Sequence, residues 1–577
     1  MYVIIFNKQL PSFQLGGSND MIEEAKKVLP IGEDDFRDIR EENKYYIDKT
    51  LLIQDFIRYN NKVALITRPR RFGKTLNMTM LRDFFDITQD SQKIFSGLNI
   101  MSTQYADRIN STPVIYLSLK NCTGKTVEHL ETSFAEEIFR EYQKHDKHLA
   151  NANKKDLAYL RFFQMLEILA NDDASIDRNK YIQNNITFLE NSLSYLIIAL
   201  HSYYNVRPIV LIDEYDNPII EAHLKNFREE FTSFLSTFLT TALKGNPNVA
   251  QALLTGIQRV AKESIFSKLN NVSVYSILSE KYAPYFGLTS EETSVLLEYY
   301  GLELNEDVKA YYDGYHFSGV EVYNPWSILS YAGEQKLKNY WIKTSTNTLV
   351  HQSIESADHE FYEDFERLIK NEEAEVKVNL EASFTELPQT ETLWGLLINA
   401  GYLTVIHEDF EFEMLTIRIP NKEIASEFKK IVARYTKLSS NRLQKMLMAL
   451  TRGHMQEFFN IYELLVLEST SYHDAKENAY HMLLLGMVMH LREIYEITSN
   501  IESGTGRSDI KLKSKNPSRP HIILEFKQGK DVDKLKHEAL KQIDDKQYYA
   551  GLTGDVLCVG IAHDKKRCEL VHEMITL

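Results

Sequence analysis

The chain has 577 residues, a formal net charge of −15, a 44% apolar fraction and a 25% charged fraction. That length exceeds what one hydrophobic core usually serves, so two large domains and a connecting region are expected. The charge excludes a basic footprint spread over the whole surface and leaves room only for a local one. Thirteen prolines and 23 glycines are too few for long disordered tracts, and neither a low-complexity segment nor an internal repeat stands out.

Cys122, Cys558 and Cys568 make neither a disulfide framework nor a zinc pattern, which suits a reducing, cytoplasmic setting. The run Tyr2 to Phe6 is too short for a signal-peptide core. No stretch approaches the ~18 apolar residues that cross a bilayer. The richest run, Met482 to Met489, is bounded by His481 and His490. No membrane partner is expected.

In chain order, residues 1–28 read as an N-terminal extension, and 30–60 as a polar lead-in followed by a helix. Val63 to Thr67 is an apolar strand. It runs into Arg68-Pro-Arg-Arg-Phe-Gly-Lys-Thr75 and then into a helix from Leu76 to Phe85. Pro113 to Leu119 reads as a strand, 127–203 as helix interrupted near Asn171 to Asp177, Ile209 to Ile212 as a strand, 222–245 as helix, and Val249 to Thr255 as a strand. Strands alternating with helices predict an α/β unit with a parallel sheet. Residues 286–471 read as a mostly helical connecting region. A hairpin at Tyr402 to Ile406 and Met414 to Ile419 admits a winged-helix-like module there. Trp326, Trp341 and Trp394 in this region read as core anchors rather than base-stacking residues. From 472 onward a helix (Asp474 to Tyr495), strands at Asp509 to Lys513 and His521 to Phe526, a helix over 533–549, and strands at Val556 to Ala562 and Cys568 to Glu573 predict a second α/β unit.

Gly73-Lys74-Thr75, after a strand and before a helix, is the second half of a phosphate-binding loop. Backbone N–H groups of the loop, Arg71 and Phe72 included, and the helix N-terminus cradle phosphate oxygens. Lys74 reaches the β- and γ-phosphates, and the Thr75 hydroxyl ligates Mg²⁺. The first glycine of the usual pattern is Arg68 here. Ile209-Val-Leu-Ile-Asp213-Glu214 supplies a second motif: a buried strand ends in an acid, Asp213, suited to the Mg²⁺ shell, and Glu214 is placed to orient water. Thr255, at the next strand end, is a candidate γ-phosphate sensor, and Arg259 a candidate charge-stabilising arginine. Asp48-Lys49 reads as a helix cap.

In the second unit, Asp509 precedes Glu525-Phe-Lys527 by 16 residues, room for two antiparallel strands turned at Asn516 to Pro520. Strand alternation puts Glu525 and Lys527 on one face. Two carboxylates converging with a lysine suit metal-dependent phosphodiester cleavage: the acids hold Mg²⁺ or Mn²⁺, and the lysine offsets developing charge. Basic residues gather nearby, among them Arg507, Lys511, Lys513, Lys515, Arg519, Lys530, Lys534 and Lys536, a local patch for phosphate contact.

These stretches carry a resemblance. On Tyr45-Tyr-Ile-Asp-Lys-Thr50, Thr67 to Leu76, Leu211 to Pro218, Thr255-Gly-Ile-Gln-Arg259, Glu263 to Ser267 with Leu269 to Asn271, and Tyr312-Asp-Gly-Tyr315, residues from about 29 to 290 resemble a predicted AAA-ATPase-like family. The missing first glycine is a feature of that family. On Glu477-Asn-Ala-Tyr-His481, Ser499 to Gly504, Gly506-Arg-Ser-Asp509, Glu525-Phe-Lys527, and Gln542-Ile543 with Lys546 and Tyr548, residues 472–577 resemble the PD-(D/E)XK nuclease superfamily. The resemblances imply a P-loop NTPase domain over 29–285 and a restriction-endonuclease-like α/β domain over 472–577. They further imply Asp509 and Glu525 as metal ligands, Lys527 as the catalytic lysine, Glu477 as an added acid, and Gln542 and Tyr548 facing core or substrate. Ser508 stands where the superfamily has proline. The expected activity is an ATP-binding, Mg²⁺-dependent nuclease acting on nucleic acid, DNA in the preferred reading, gated by the ATPase. The rival is a nucleotide-switched signalling or defence ATPase scaffold whose nuclease fold is inactive or only binds; a homo-oligomer is admitted in either reading.

Overall fold

The computed structural model describes residues 26–577 apart from 172, 174, 260–268, 270, 342–347, 356, 358, 370–372, 382–386, 388, 436–439, 470–483, 504–505 and 566. Five strands, β1 (Val63–Thr67), β2 (Val114–Ser118), β3 (Ile209–Asp213), β4 (Ala252–Gly256) and β5 (Val272–Tyr275), form one sheet in the order β2-β3-β4-β1-β5. Every pairing in it is parallel. All residues of β1, β3 and β4 are buried, which is why those runs read as continuously apolar rather than alternating. The functional loops leave the C-terminal ends of β1, β3 and β4, where ligands of open α/β sheets bind.

β5 was not expected. Its short Val-Ser-Val-Tyr run pairs with β1 and closes that edge. The long helical stretch is four helices, Val127–Leu149, Leu157–Ala170, Arg178–Asn184 and Ile186–Tyr204. Asp156 and Asp177 accept backbone N–H bonds as N-caps of the second and third. The segment expected as helix 222–245 is two, Asn217–Leu224 and Arg228–Leu243, parted at Asn226 with its φ of 64°.

The connecting region is helical, as expected, but holds two small antiparallel sheets. β6 (Leu288–Thr289), β7 (Tyr315–Phe317) and β8 (Val320–Tyr323) form the first in the order β6-β8-β7. Ser318 and Gly319, both at positive φ, turn β7 into β8, the backbone that two-residue hairpins favour. β9 (Ala374–Val376) joins the expected hairpin, β10 (Thr404–Asp409) and β11 (Met414–Arg418), as a third strand.

The last sheet has the order β12 (Tyr495–Ser503), β13 (Gly506–Ser514), β14 (His521–Gln528), β15 (Asp555–Asp564), β16 (Arg567–Thr576). Only β14 and β15 pair in parallel, joined through the helix Val532–Asp545. β12 corrects the expected helix: Leu484 to Val488 are helical, but a short 3₁₀ turn follows at Met489–Leu491 and Tyr495 opens a strand. The two faces of β14 divide by parity. Ile522, Leu524 and Phe526 join the large core shared with the helix Met455–Ser469. Ile523 packs instead with Ile543 and Tyr548, on the side of Val532–Asp545. Glu525 and Lys527 share that second face. Among the described residues, no helix is long and apolar enough to cross a membrane.

Candidate nucleotide and nuclease sites

At the end of β1 the chain turns through Arg68 to Gly73 into the helix Lys74–Phe85. Arg71 and Gly73 take positive φ, 67° and 81°, which bends the loop back over the helix N-terminus. Lys74 is buried, and its amine donates to the carbonyls of Arg68 (3.0 Å) and Pro69 (2.9 Å). Burial lowers its pKa, opposed by Glu214 and Asp213.

Thr75 donates from its hydroxyl to one oxygen of Asp213 (2.6 Å), and Thr255 donates to the other. The three motif residues predicted to share a magnesium shell and γ-phosphate are thus linked through one carboxylate. Glu214 follows at a φ of 51°, a conformation uncommon for a non-glycine residue. It lines a cavity of about 510 Å³ together with Gly73, Lys74 and Thr75. Burial raises its pKa.

Asp216 lines the same cavity, and no role was read for it in the sequence. Its carboxylate accepts from the backbone N–H of Ile257 and of Gln258, each at 2.9 Å. Gly256 permits that approach: a Cβ there would lie 2.6 Å from an Asp216 oxygen. The signal was present in the motif as an acid two residues past the strand-end pair, facing a Thr-Gly strand end.

Two other predicted residues point elsewhere. Phe72 is buried edge-to-face against Tyr315 (5.0 Å), away from the main cavity, so only its backbone can serve a phosphate. Arg259 pairs with Glu381 and does not line the cavity. Asp48 accepts from the Thr50 N–H (2.9 Å), but Thr50, not Asp48, is the N-cap of the helix Leu51–Tyr59 and has no side-chain cap bond, while Lys49 pairs with Glu292 (2.6 Å).

The departure from a glycine-rich loop has a structural reason. Arg68 is wholly buried, its guanidinium donating to the carbonyls of Thr67 (2.8 Å) and Tyr275 (3.0 Å) and lying over the rings of Phe286 and Phe317. Burial lowers its pKa to about 9. Pro69 abuts Gly401, where a Cβ would come within 2.9 Å of the proline Cβ. The Trp341 indole N–H donates to the Arg70 carbonyl (3.3 Å). The Arg71 guanidinium lies over the Trp326 ring, so each residue from Arg68 to Phe72 contacts the segment 275–401.

In the C-terminal sheet, Asp509 lies in mid-strand on β13, not at its start, beside Glu525 on β14. The two carboxylates exchange backbone bonds: the Asp509 N–H donates to Glu525 (3.3 Å) and the Phe526 N–H donates to Asp509 (2.7 Å). The Lys527 amine sits 3.4 Å from Glu525. Gln542 donates to the same Glu525 oxygen and to the Tyr548 hydroxyl (2.9 Å). Glu525 is 1% exposed. Burial, and then the neighbouring Asp509, push its pKa up to about 8.

The buried Glu525 and the neighbouring Asp509 bring two carboxylates together beside one ammonium, and carboxylate oxygens are the hard donors Mg²⁺ and Mn²⁺ take. The donor set therefore fits such an ion. Glu477 lies outside the described residues, as does Glu263 to Ser267. Among the described residues, no group of three or more His, Cys, Asp or Glu side chains forms a metal cluster. Of the basic patch, Lys534 pairs with Glu538, Lys536 with Asp533 and Glu569, and Lys511 donates to the Tyr548 carbonyl.

Residues 30–266 match the model of a family described as predicted AAA-ATPase, and residues 475–573 match that of the PD-(D/E)XK nuclease superfamily. The chain carries a domain of each family. A curated relative, the "Uncharacterized protein in vnfD 5'region" of Azotobacter chroococcum mcd 1, is 28% identical over 330 residues. The match covers 56% of the chain and 56% of that protein, so the chain spans just over half the relative's length. The AAA-ATPase-like match ends before the segment 275–401 that clasps its phosphate-binding loop. The PD-(D/E)XK match includes Glu525, the Asp509, Lys527 and Gln542 that meet it, and the Tyr548 that Gln542 also bonds.

Proposed function

We propose that this protein is an ATP-binding, Mg²⁺-dependent nuclease in which nucleotide binding or hydrolysis controls cleavage of nucleic acid, DNA foremost. In this reading the chain divides into a nucleotide-binding part over 29–285, a connecting region over 286–471 and a nuclease part over 472–577. The observation that carries it is the meeting of Asp509, Glu525, Lys527, Gln542 and Tyr548 on one sheet face, in a chain that also places Lys74, Thr75 and Asp213 together.

A divalent cation held by Asp509 and Glu525 would polarise the phosphodiester. Glu525 is fixed for that task by Gln542, which Tyr548 in turn holds. Lys527 offsets charge developing on the phosphate. In the nucleotide site Lys74 would neutralise the β- and γ-phosphates, Thr75 and Asp213 would hold the magnesium that accompanies ATP, and Glu214 would orient water.

The test uses plasmid, linear and single-stranded DNA, and RNA, with Mg²⁺ or Mn²⁺. Wild type should cleave at least one of them. Asp509→Ala and Lys527→Ala should each lose at least about a hundred-fold in rate, and Gln542→Ala about ten- to a hundred-fold. Cleavage that persists in both of the first two variants would sink the site. A wild type that cuts nothing would overturn the nuclease reading in favour of a nucleotide-switched scaffold.

A further inference from the structure

The cavity at the phosphate-binding loop is lined by charged and apolar side chains together. Lys74, Glu214 and Asp216 line it, with Gly73 and Thr75. So do Pro30, Ile39, Leu76, Pro325, Trp326 and Leu329. Five of those six, all but Trp326, also line a small adjoining cavity, as Gly73 does. This lining admits a ligand with both a charged and an apolar part. The volume of about 510 Å³ lies within the range of small-molecule sites.

Three of the apolar residues come from the helix Pro325–Glu334, beyond the AAA-ATPase-like match. Trp326 departs from its two fellows. Trp341 and Trp394 are each 1% exposed, the core anchors expected from the sequence. Trp326 is only partly buried: it packs on the cluster of β6, β8 and the helix it opens, and it borders the cavity. The Arg71 guanidinium lies 3.7 Å from the centre of its ring.

We infer that Trp326 is the platform for the base of the bound nucleoside triphosphate, and that the helix Pro325–Glu334 thereby reads whether the nucleotide is present. A base packs on the Arg71 guanidinium plane stacked over the indole, or on the indole itself once Arg71 turns to the phosphates; both need the indole. A purine covers more of that flat surface than a pyrimidine, so ATP and GTP are preferred over CTP. The inference rests on the reading of Gly73 to Thr75 as a triphosphate loop.

The experiment measures equilibrium binding of ATP, CTP and inorganic tripolyphosphate to the full-length wild type, Trp326→Ala and Trp326→Phe. In wild type, ATP should bind at least about ten-fold more tightly than tripolyphosphate. Trp326→Ala should lose most of that advantage while still binding tripolyphosphate, and Trp326→Phe should keep part of it. An ATP-to-tripolyphosphate ratio unchanged in Trp326→Ala, or equal binding of ATP and CTP in wild type, overturns the inference and leaves the loop assignment standing. A wild type that binds none of the three ligands overturns the loop assignment itself. Should Trp326→Ala lose both ATP and tripolyphosphate, Leu329→Ala, on the same wall, decides by the same ratio.

Discussion

The Glu525 carboxyl faces Asp509 in a place water scarcely reaches, and it keeps its proton to about pH 8 against 4.5 for an ordinary glutamate. A carboxyl raised in this way is ionised earlier in the unfolded chain than in the folded one. Folding therefore loses stability as pH rises from about 4.5 through about 8. Glu525→Gln removes that penalty and keeps an amide oxygen for Gln542. In the presence of a chelator, the variant should melt higher than wild type at pH 8.5 and much closer to it at pH 5, and it should not cleave. Melting temperatures that run parallel across that range would refute the buried-charge account. At this scale the sequence was informative wherever a residue type and its spacing name a chemistry. Lys74, Thr75 and Asp213, which the fold brings together, and Glu525, which it buries beside Asp509, were read that way. Asp216 was not, because its hydrogen bonds come from the backbone N–H groups of Ile257 and Gln258, just past the end of β4, and Trp326 was not, because Arg71, on which it stacks, lies far upstream in the chain.

Gly560 shows how elements set that site. It sits across the parallel ladder from Glu525. A Cβ there would lie 2.4 Å from the Lys536 carbonyl oxygen and 2.6 Å from the Leu540 nitrogen. The missing side chain lets the helix Val532–Asp545 lie directly on β15, so that Gln542 reaches Glu525 on β14. Gly560→Ala should lift the helix. It should cost about 1–3 kcal/mol of stability and lower the cleavage rate about as much as Gln542→Ala does, with both losses read from melting and kinetics on one preparation. Full activity in Gly560→Ala would show that the close approach is unimportant. The elements themselves were mostly legible. β1, β3 and β4 are apolar along their whole length, and the helices about them keep their period. What escaped was short or misleading. β12 follows an apolar helical run, and neither a glycine nor a proline between Met489 and Ile494 marks the change, and the Ser318-Gly319 turn between Tyr315–Phe317 and Val320–Tyr323 is a hairpin signal hidden among helices.

Across the whole molecule, the segment 275–401 does more than connect. It buries Arg68, abuts Pro69, bonds the Arg70 carbonyl, stacks on Arg71 and packs on Phe72. The loop that would hold phosphates is therefore held by a region the AAA-ATPase-like match does not include. At the far end, the helix Met455–Ser469 covers the face of β14 opposite the candidate nuclease site, where Tyr462 shares a buried 2.8 Å hydrogen bond with His563. One continuous hydrophobic core runs from β1 to β14 through these helices. Close-packed interiors transmit displacement rather than absorb it, and the proposed control of cleavage by nucleotide would run through this core to the opposite face of β14. The most direct measurement is cleavage of labelled linear duplex DNA in Mg²⁺ by wild type, Lys74→Ala and Asp509→Ala, each with and without ATP. The account predicts that ATP changes the wild-type rate by at least about five-fold, that Lys74→Ala cuts at a rate indifferent to ATP, and that Asp509→Ala does not cut. Wild-type cleavage at the same rate with and without ATP, or an ATP response kept by Lys74→Ala, would contradict it.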